Sequence, residues 1–190
     1  MISGPPGFSA IVTGISYALS LATKRVEPSA EAHPNGPVAI SQAIWFRLLI
    51  TILNGVVILG FDNAFALVLF FMISAIDTLS YPVVSHVVLY RSGLGKVYPN
   101  FITGFTWVGN LRVLMLMTIS LLTISLGVES MQIIMFPFAI WMIWASWSVA
   151  TRAIGRGGWA GAGMVLLALI LEMLLGALII TFIHPTAVTG

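Results

Sequence analysis

Five ionisable side chains fall inside stretches that otherwise read as oil: Arg47, Asp77, His86, Arg112 and Glu172. In lipid such a group costs several kcal/mol unless it is paired or hydrated, so each is a functional candidate by default. Asp77 and Glu172 lie near the middle of their stretches. Arg112 lies about 12–15 Å from the end of its own, nearly level with Glu172 and within a side-chain length of Asp77. One arginine holds one carboxylate in a bidentate pair. If all three turn inward, a carboxylate is left over to be protonated, hydrated or bound by something else. Ser74, Ser80 and Tyr81, at i−3, i+3 and i+4 from Asp77, are candidate hydroxyl partners on its own helix face. Three readings of this intramembrane polar cluster stay open: an interhelical clamp, a proton or ion path, and a salt bridge to a partner's span.

Arg47 lies only about 6 Å inside its stretch, and is expected to snorkel to the headgroups as an anchor. His86 sits about one turn inside one end of the second stretch, whereas His184 follows the last stretch on the opposite side. The pair therefore does not share a depth, which excludes a bis-histidine haem. His33 and His86 alone are too few ligands for a metal. HExxH, GxSxG, GxxxxGK[ST] and GxGxxG are all missing from the sequence, so no catalytic constellation of those classes is present. There is no cysteine, which removes disulfides, thiolate zinc sites and iron–sulfur clusters. The sequence implies no cofactor, no metal and no enzymatic activity.

The elements that must position these residues follow from composition. Of 190 residues, 59% are hydrophobic and only 7% charged, against about 25% charged in an average soluble domain. Mean hydropathy is +1.06 and the pI 9.3. That basicity is no nucleic-acid signature. The eight Lys and Arg are scattered singly, with Lys24-Arg25 the only adjacent pair. The fold expected is an all-α polytopic transmembrane bundle.

Five apolar stretches, at about 43–61, 64–90, 102–126, 131–150 and 162–183, are each long enough to span. Pro82 is expected to kink the second. The charges alternate with the connections. Lys24 and Arg25 precede the first span, Arg91 and Lys96 lie in the second connection, and Arg152 and Arg156 in the fourth. Asp62 and Glu129, without a basic residue, lie in the first and third. By the positive-inside rule the N-terminus is cytoplasmic and the C-terminus outside. The six basic residues are candidates for headgroup or partner contact. Trp45, Tyr98 and Trp159 sit near span ends, as interfacial anchors do.

Residues 1–42 read as a short helix and a proline-rich linker, residues 43–190 as the bundle. The first segment is not a secretory signal, because its apolar part, Phe8 to Thr23, precedes its basic pair. Phe8, Ile11, Val12, Ile15, Leu19 and Ala22 share one helical face. This predicts an amphipathic helix lying in the membrane interface, with packing against the bundle or a partner as the alternative. Pro28, Pro34, Gly36 and Pro37 mark the linker. In the fourth span Trp141, Trp144 and Trp147 form an aromatic stripe, for packing, lipid contact, or a groove for an acyl chain, quinone or partner helix. Beyond it, Gly157 with Gly161 and Gly158 with Ala162 permit close helix approach or a turn.

Two segments carry a family resemblance. One is Arg91-Ser92-Gly93-Leu94-Gly95-Lys96, leading through Tyr98 and Phe101 into the third span. The other is the tryptophan-bearing fourth span running into Thr151-Arg152-Ala153-Ile154-Gly155-Arg156. With the five-span layout, about residues 43–183 resemble the YIP (Ypt/Rab-interacting) family of small multi-pass membrane proteins. The resemblance implies a non-enzymatic scaffold or trafficking-type protein.

The function expected is thus a non-catalytic membrane subunit or scaffold binding lipids and other integral membrane subunits within a larger complex. The alternatives are a small transporter or proton-conducting unit using Asp77, Arg112 and Glu172, and an accessory or assembly subunit of a respiratory or photosynthetic complex. The expected location is a bacterial inner membrane or, alternatively, an organellar one.

Overall fold

The computed structural model describes residues 5–25, 36–60, 64–126 and 132–183. His33, His184, most of the proline-rich linker and both acidic connection residues, Asp62 and Glu129, lie outside them. Among the described residues every element is helical: α1 (Phe8–Ala22), α2 (Pro37–Leu59), α3 (Ala64–Arg91), α4 (Tyr98–Leu126), α5 (Gln132–Ile154) and α6 (Gly158–Ile183), with one 3₁₀ turn, Gly95–Val97, before α4. Four of these elements are long and apolar enough to cross a membrane: α2, α3, α4 with its preceding turn, and α6.

The helix ends have local causes. Gly36, at φ 91°, turns the chain into α2, and Pro37 occupies the first helical position, where its fixed φ suits the helix and no N–H is missed. The helix therefore starts before the apolar stretch at 43. The α3 terminus is a Schellman cap. Gly93 takes φ 72°, its N–H reaches the Tyr90 carbonyl at 3.1 Å, and the Leu94 N–H reaches Leu89 at 2.8 Å. Leu89 and Leu94 then pack in the same apolar cluster. The chain ends α1 by the same device with a lysine in the glycine position: Lys24 has φ 56°, and Arg25 N–H bonds the Ser20 carbonyl at 2.8 Å. That conformation suits glycine far better than lysine, and it holds the Lys24 ammonium 4.7 Å from the centre of the Trp144 ring. Pro82 sits inside α3, and the helix runs on without a break.

Packing orders the helices into a ring, α2–α3–α6–α5–α4 and back to α2, with α1 laid along α4 and reaching α5 and α2. α1 packs on the bundle, as the second of the two sequence readings has it. It stands against the bundle, burying Gly14, Tyr17, Ala18 and Leu21. Of the face expected to enter lipid, Phe8, Val12 and Leu19 are exposed, whereas Ile11 and Ile15 pack partly on the core and Ala22 is buried. The reason is steric. Gly14 gives the fully enclosed Trp107 indole a place to sit, and a Cβ there would overlap the ring. Small residues let backbones approach closely where lipid offers no hydrophobic drive for association. Arg152 adds a polar tie, donating to the Leu21 carbonyl at 2.8 Å, at the helix end where a cation is favoured. Gly161 does for α5 and α6 what Gly14 does for α1 and α4, lying hard against Thr151.

One apolar cluster gathers the first turns of α2, α4 and α6 with the last turns of α3 and α5, through Ile40, Leu89, Phe101, Ile154 and Met164. These helices therefore alternate in direction, and Arg91, Lys96, Arg152 and Arg156 all flank one end of the bundle. Lys24 and Arg25 join them, because the end of α1 is tied to Arg152.

The close approach at Gly14 is testable. Gly14→Val lowers the melting temperature in detergent by several degrees, from an overpacking cost of about 1–3 kcal/mol. Gly163→Ala, where an added Cβ meets nothing within 4 Å, leaves it within about 0.5 kcal/mol of the parent.

Candidate functional site

The helices line a partly open cavity of about 290 Å³. Every helix except α1 lends it a wall, and the four charged side chains at its edge come from four of them: Arg47 from α2, Asp77 from α3, Arg112 from α4 and Glu172 from α6. Their levels agree. Asp77 lies 14 residues before Arg91, Arg112 lies 14 after Tyr98, and Glu172 lies 14 after Gly158. At about 1.5 Å per residue, each is about 21 Å along its helix from the basic end.

Arg112 and Glu172 form an ion pair that joins α4 to α6. Its partner is thus Glu172 and not Asp77. The Arg112 Nε is buried and has no hydrogen-bond acceptor, so the pair leaves part of the guanidinium unused. Among the described residues Asp77 forms no ion pair, and none of the expected hydroxyls reaches its carboxylate. Ser80 donates to the backbone carbonyl of Asp77 at 3.0 Å. Tyr81 donates across to the Met164 carbonyl on α6 at 3.0 Å. Ser74 is buried elsewhere on α3.

Arg47 corrects the sequence reading. It does not snorkel as an anchor but points into the ring, where Nη1 donates to the Gly109 carbonyl at 2.6 Å. Depth suggested an anchor; facial position decides otherwise. Ala43, Phe46 and Ile50 are all buried, and Arg47 sits between them at i+4, i+1 and i−3, so it shares their inward face. That signal was present in the spacing. Asn110, missed entirely, is 0% exposed. Its amide nitrogen donates to the Ala43 carbonyl at 2.9 Å, pinning α4 to α2, while its Oδ1 is buried without a donor. A single asparagine in an apolar run gives no helical periodicity to detect.

The remaining walls are apolar. Phe105 of α4 stacks on Tyr81 at 4.7 Å between ring centres, and Phe138, Met142 and Ile143 of α5 face them across the cavity. Pro82 also lines it. Lacking an N–H, it leaves the Thr78 carbonyl, at the same wall, without its helical donor. The site is therefore an oily chamber with two cations, two carboxylates and several unused polar atoms, the usual composition of a small-molecule pocket.

The other candidate residues lie apart from it. Trp147 donates to the Gly158 carbonyl at 2.9 Å, closing the α5–α6 turn. Trp141 packs on the α1–α4 core, and Trp144 lies beneath Lys24. Trp141 and Trp147 thus make internal contacts, while Trp144 stays 37% exposed. Arg25, Arg91, Lys96 and Arg156 are exposed, whereas Arg152 is engaged with Leu21 and Ser148. His86 packs edge-on against Tyr98 at 4.8 Å, and no group of three metal-ligating side chains occurs among the described residues.

Breaking the ion pair from one side strands the other charge. Arg112→Met or Glu172→Leu alone lowers stability in detergent by about 1–3 kcal/mol, and the double substitution recovers at least half of that loss, because the two charges leave together. A double-variant loss equal to the sum of the two single losses would show that the pair is not coupled. Comparison with protein-family models, curated proteins and solved structures finds no match.

Proposed function

We propose that the chain is a five-span membrane protein, with the basic end of the bundle in the cytoplasm, that works as a small carrier or proton-conducting unit through its central cavity. The observation that carries this reading is the placement of Asp77. A carboxylate without an ion-pair partner among the described residues lines a mid-bundle cavity already holding Arg47 and the Arg112–Glu172 pair. A clamp serving stability alone needs the ion pair and nothing more. An additional acid and base facing the same space are costly in lipid, and that cost fits a group that takes up and releases a proton or a ligand.

In this reading α5 is the fifth span. Its 23 residues suffice for length. The basic end is cytoplasmic by the positive-inside rule. The protein resides in a bacterial inner membrane or an organellar one.

One observation favours a second reading, a scaffold or subunit of a larger membrane complex. Trp159 is 92% exposed beside the exposed Arg156, on the same end as Arg91 and Lys96. Such a surface suits anionic lipid headgroups or another membrane subunit. The two segments that resemble the YIP family meet at that end too, in the cluster holding Leu94, Tyr98, Phe101 and Ile154.

Reconstitution separates the two. In liposomes carrying a pH gradient, the wild type relaxes the gradient at least tenfold faster than empty vesicles. Asp77→Asn removes that flux, while its melting temperature in detergent stays near that of the parent. Absence of flux in the wild type would overturn the carrier reading, and a stable co-purifying protein would then favour the scaffold.

A further inference from the structure

The charges around the cavity do not merely balance; they balance in a way that specifies a ligand. Arg112 and Glu172 cancel each other in direct contact. That leaves Arg47 on α2 and Asp77 on α3, facing the same space from neighbouring helices and not joined by an ion pair. A guanidinium has five N–H donors and a carboxylate about four acceptor positions. Arg47 commits Nη1 to the Gly109 carbonyl and retains donors on its other nitrogens. The Asp77 carboxylate has no hydrogen bond among the described residues.

From this juxtaposition we infer that the cavity binds a small zwitterion, an α-amino acid with a large apolar side chain. Its carboxylate lies on Arg47 and its ammonium on Asp77. The inference rests on the carrier reading and names its ligand. Three features select the class. A bare amine satisfies Asp77 but leaves Arg47 alone and adds a net charge to a low-dielectric chamber. A bare carboxylate has the converse fault. A zwitterion satisfies both groups and adds no net charge, which is the least costly state in lipid. The Tyr81–Phe105 stack, Phe138, Met142 and Ile143 provide an apolar wall for a side chain. A volume of about 290 Å³ lies at the lower limit for pockets that take drug-sized molecules and suits something smaller.

The test uses the full chain in lipid nanodiscs and three probes sharing one skeleton. L-leucine carries both charges, 3-methylbutylamine only the cation, and 4-methylpentanoate only the anion. Equilibrium binding of radiolabelled leucine is expected to saturate, and neither half-molecule competes within tenfold of unlabelled leucine. Arg47→Met weakens leucine at least tenfold and brings it level with the amine. Asp77→Asn weakens it similarly and brings it level with the carboxylate. A melting curve for each variant identifies loss of fold, and Arg47→Lys, which keeps the charge, retains most of the preference over the amine. No saturable binding of leucine or phenylalanine by the wild type, or a half-molecule binding as tightly as leucine, overturns the inference. Proton flux in liposomes without amino-acid binding removes the ligand and leaves the carrier reading standing. Binding without proton flux or leucine counterflow keeps the ligand and removes the carrier.

Discussion

The fold is organised around the need to keep formal charge away from hydrocarbon. Four charged side chains lie in the middle of long apolar helices, and all four line one cavity. A helix bearing such a residue is not free to rotate. Turning Arg112 outward would carry a guanidinium into lipid and strand Glu172, so the ion pair sets the azimuth of α4 and α6 together. Arg47 does the same for α2 through the Gly109 carbonyl, and Asn110 reinforces it from the opposite direction through Ala43. Apolar packing then works on helices whose inner faces are already chosen.

The steric counterpart of that rule is the set of places where helices nearly touch. Trp107, almost wholly enclosed, is accommodated because Gly14 offers no side chain. This puts α1 against α4, where it shields the outer face of the helix whose inner face lines the cavity. Lys24 accepts a left-handed backbone at the end of α1, and its ammonium then covers Trp144. Polar ends and small-residue middles thus divide the labour of association, as expected where lipid competes equally well for apolar surface.

Much of this is legible from spacing because a helix converts residue count into depth at a fixed rise. The apolar lengths place Asp77, Arg112 and Glu172 at one level, and the structure brings those residues to one cavity. What depth alone does not give is azimuth. Arg47 reads as an anchor by depth and faces inward by its register with Ala43, Phe46 and Ile50. Arg112 meets Glu172 across the ring, from a helix that adjoins neither α3 nor α6 in it, and no pattern within one helix encodes that choice. The packed face of α1 is hidden for a related reason: the bundle takes the side bearing Gly14, Tyr17, Ala18 and Leu21, because Gly14 accommodates Trp107 of another helix.

Stability and chemistry need not be served by the same charges. The Arg112–Glu172 pair links helices that also meet through α5, so its loss would loosen the ring without emptying the chamber. Arg47 and Asp77 have no such joint duty, since α2 and α3 pack directly and Asn110 already pins α2 to α4. If only structure were at stake, the tie from Arg47 to Gly109 would suffice, and a leucine at 77 would help fill the chamber and remove an expensive group. Under the carrier proposal, this separation lets Asp77 change its charge or its partner while the neighbouring ion pair goes on holding α4 to α6.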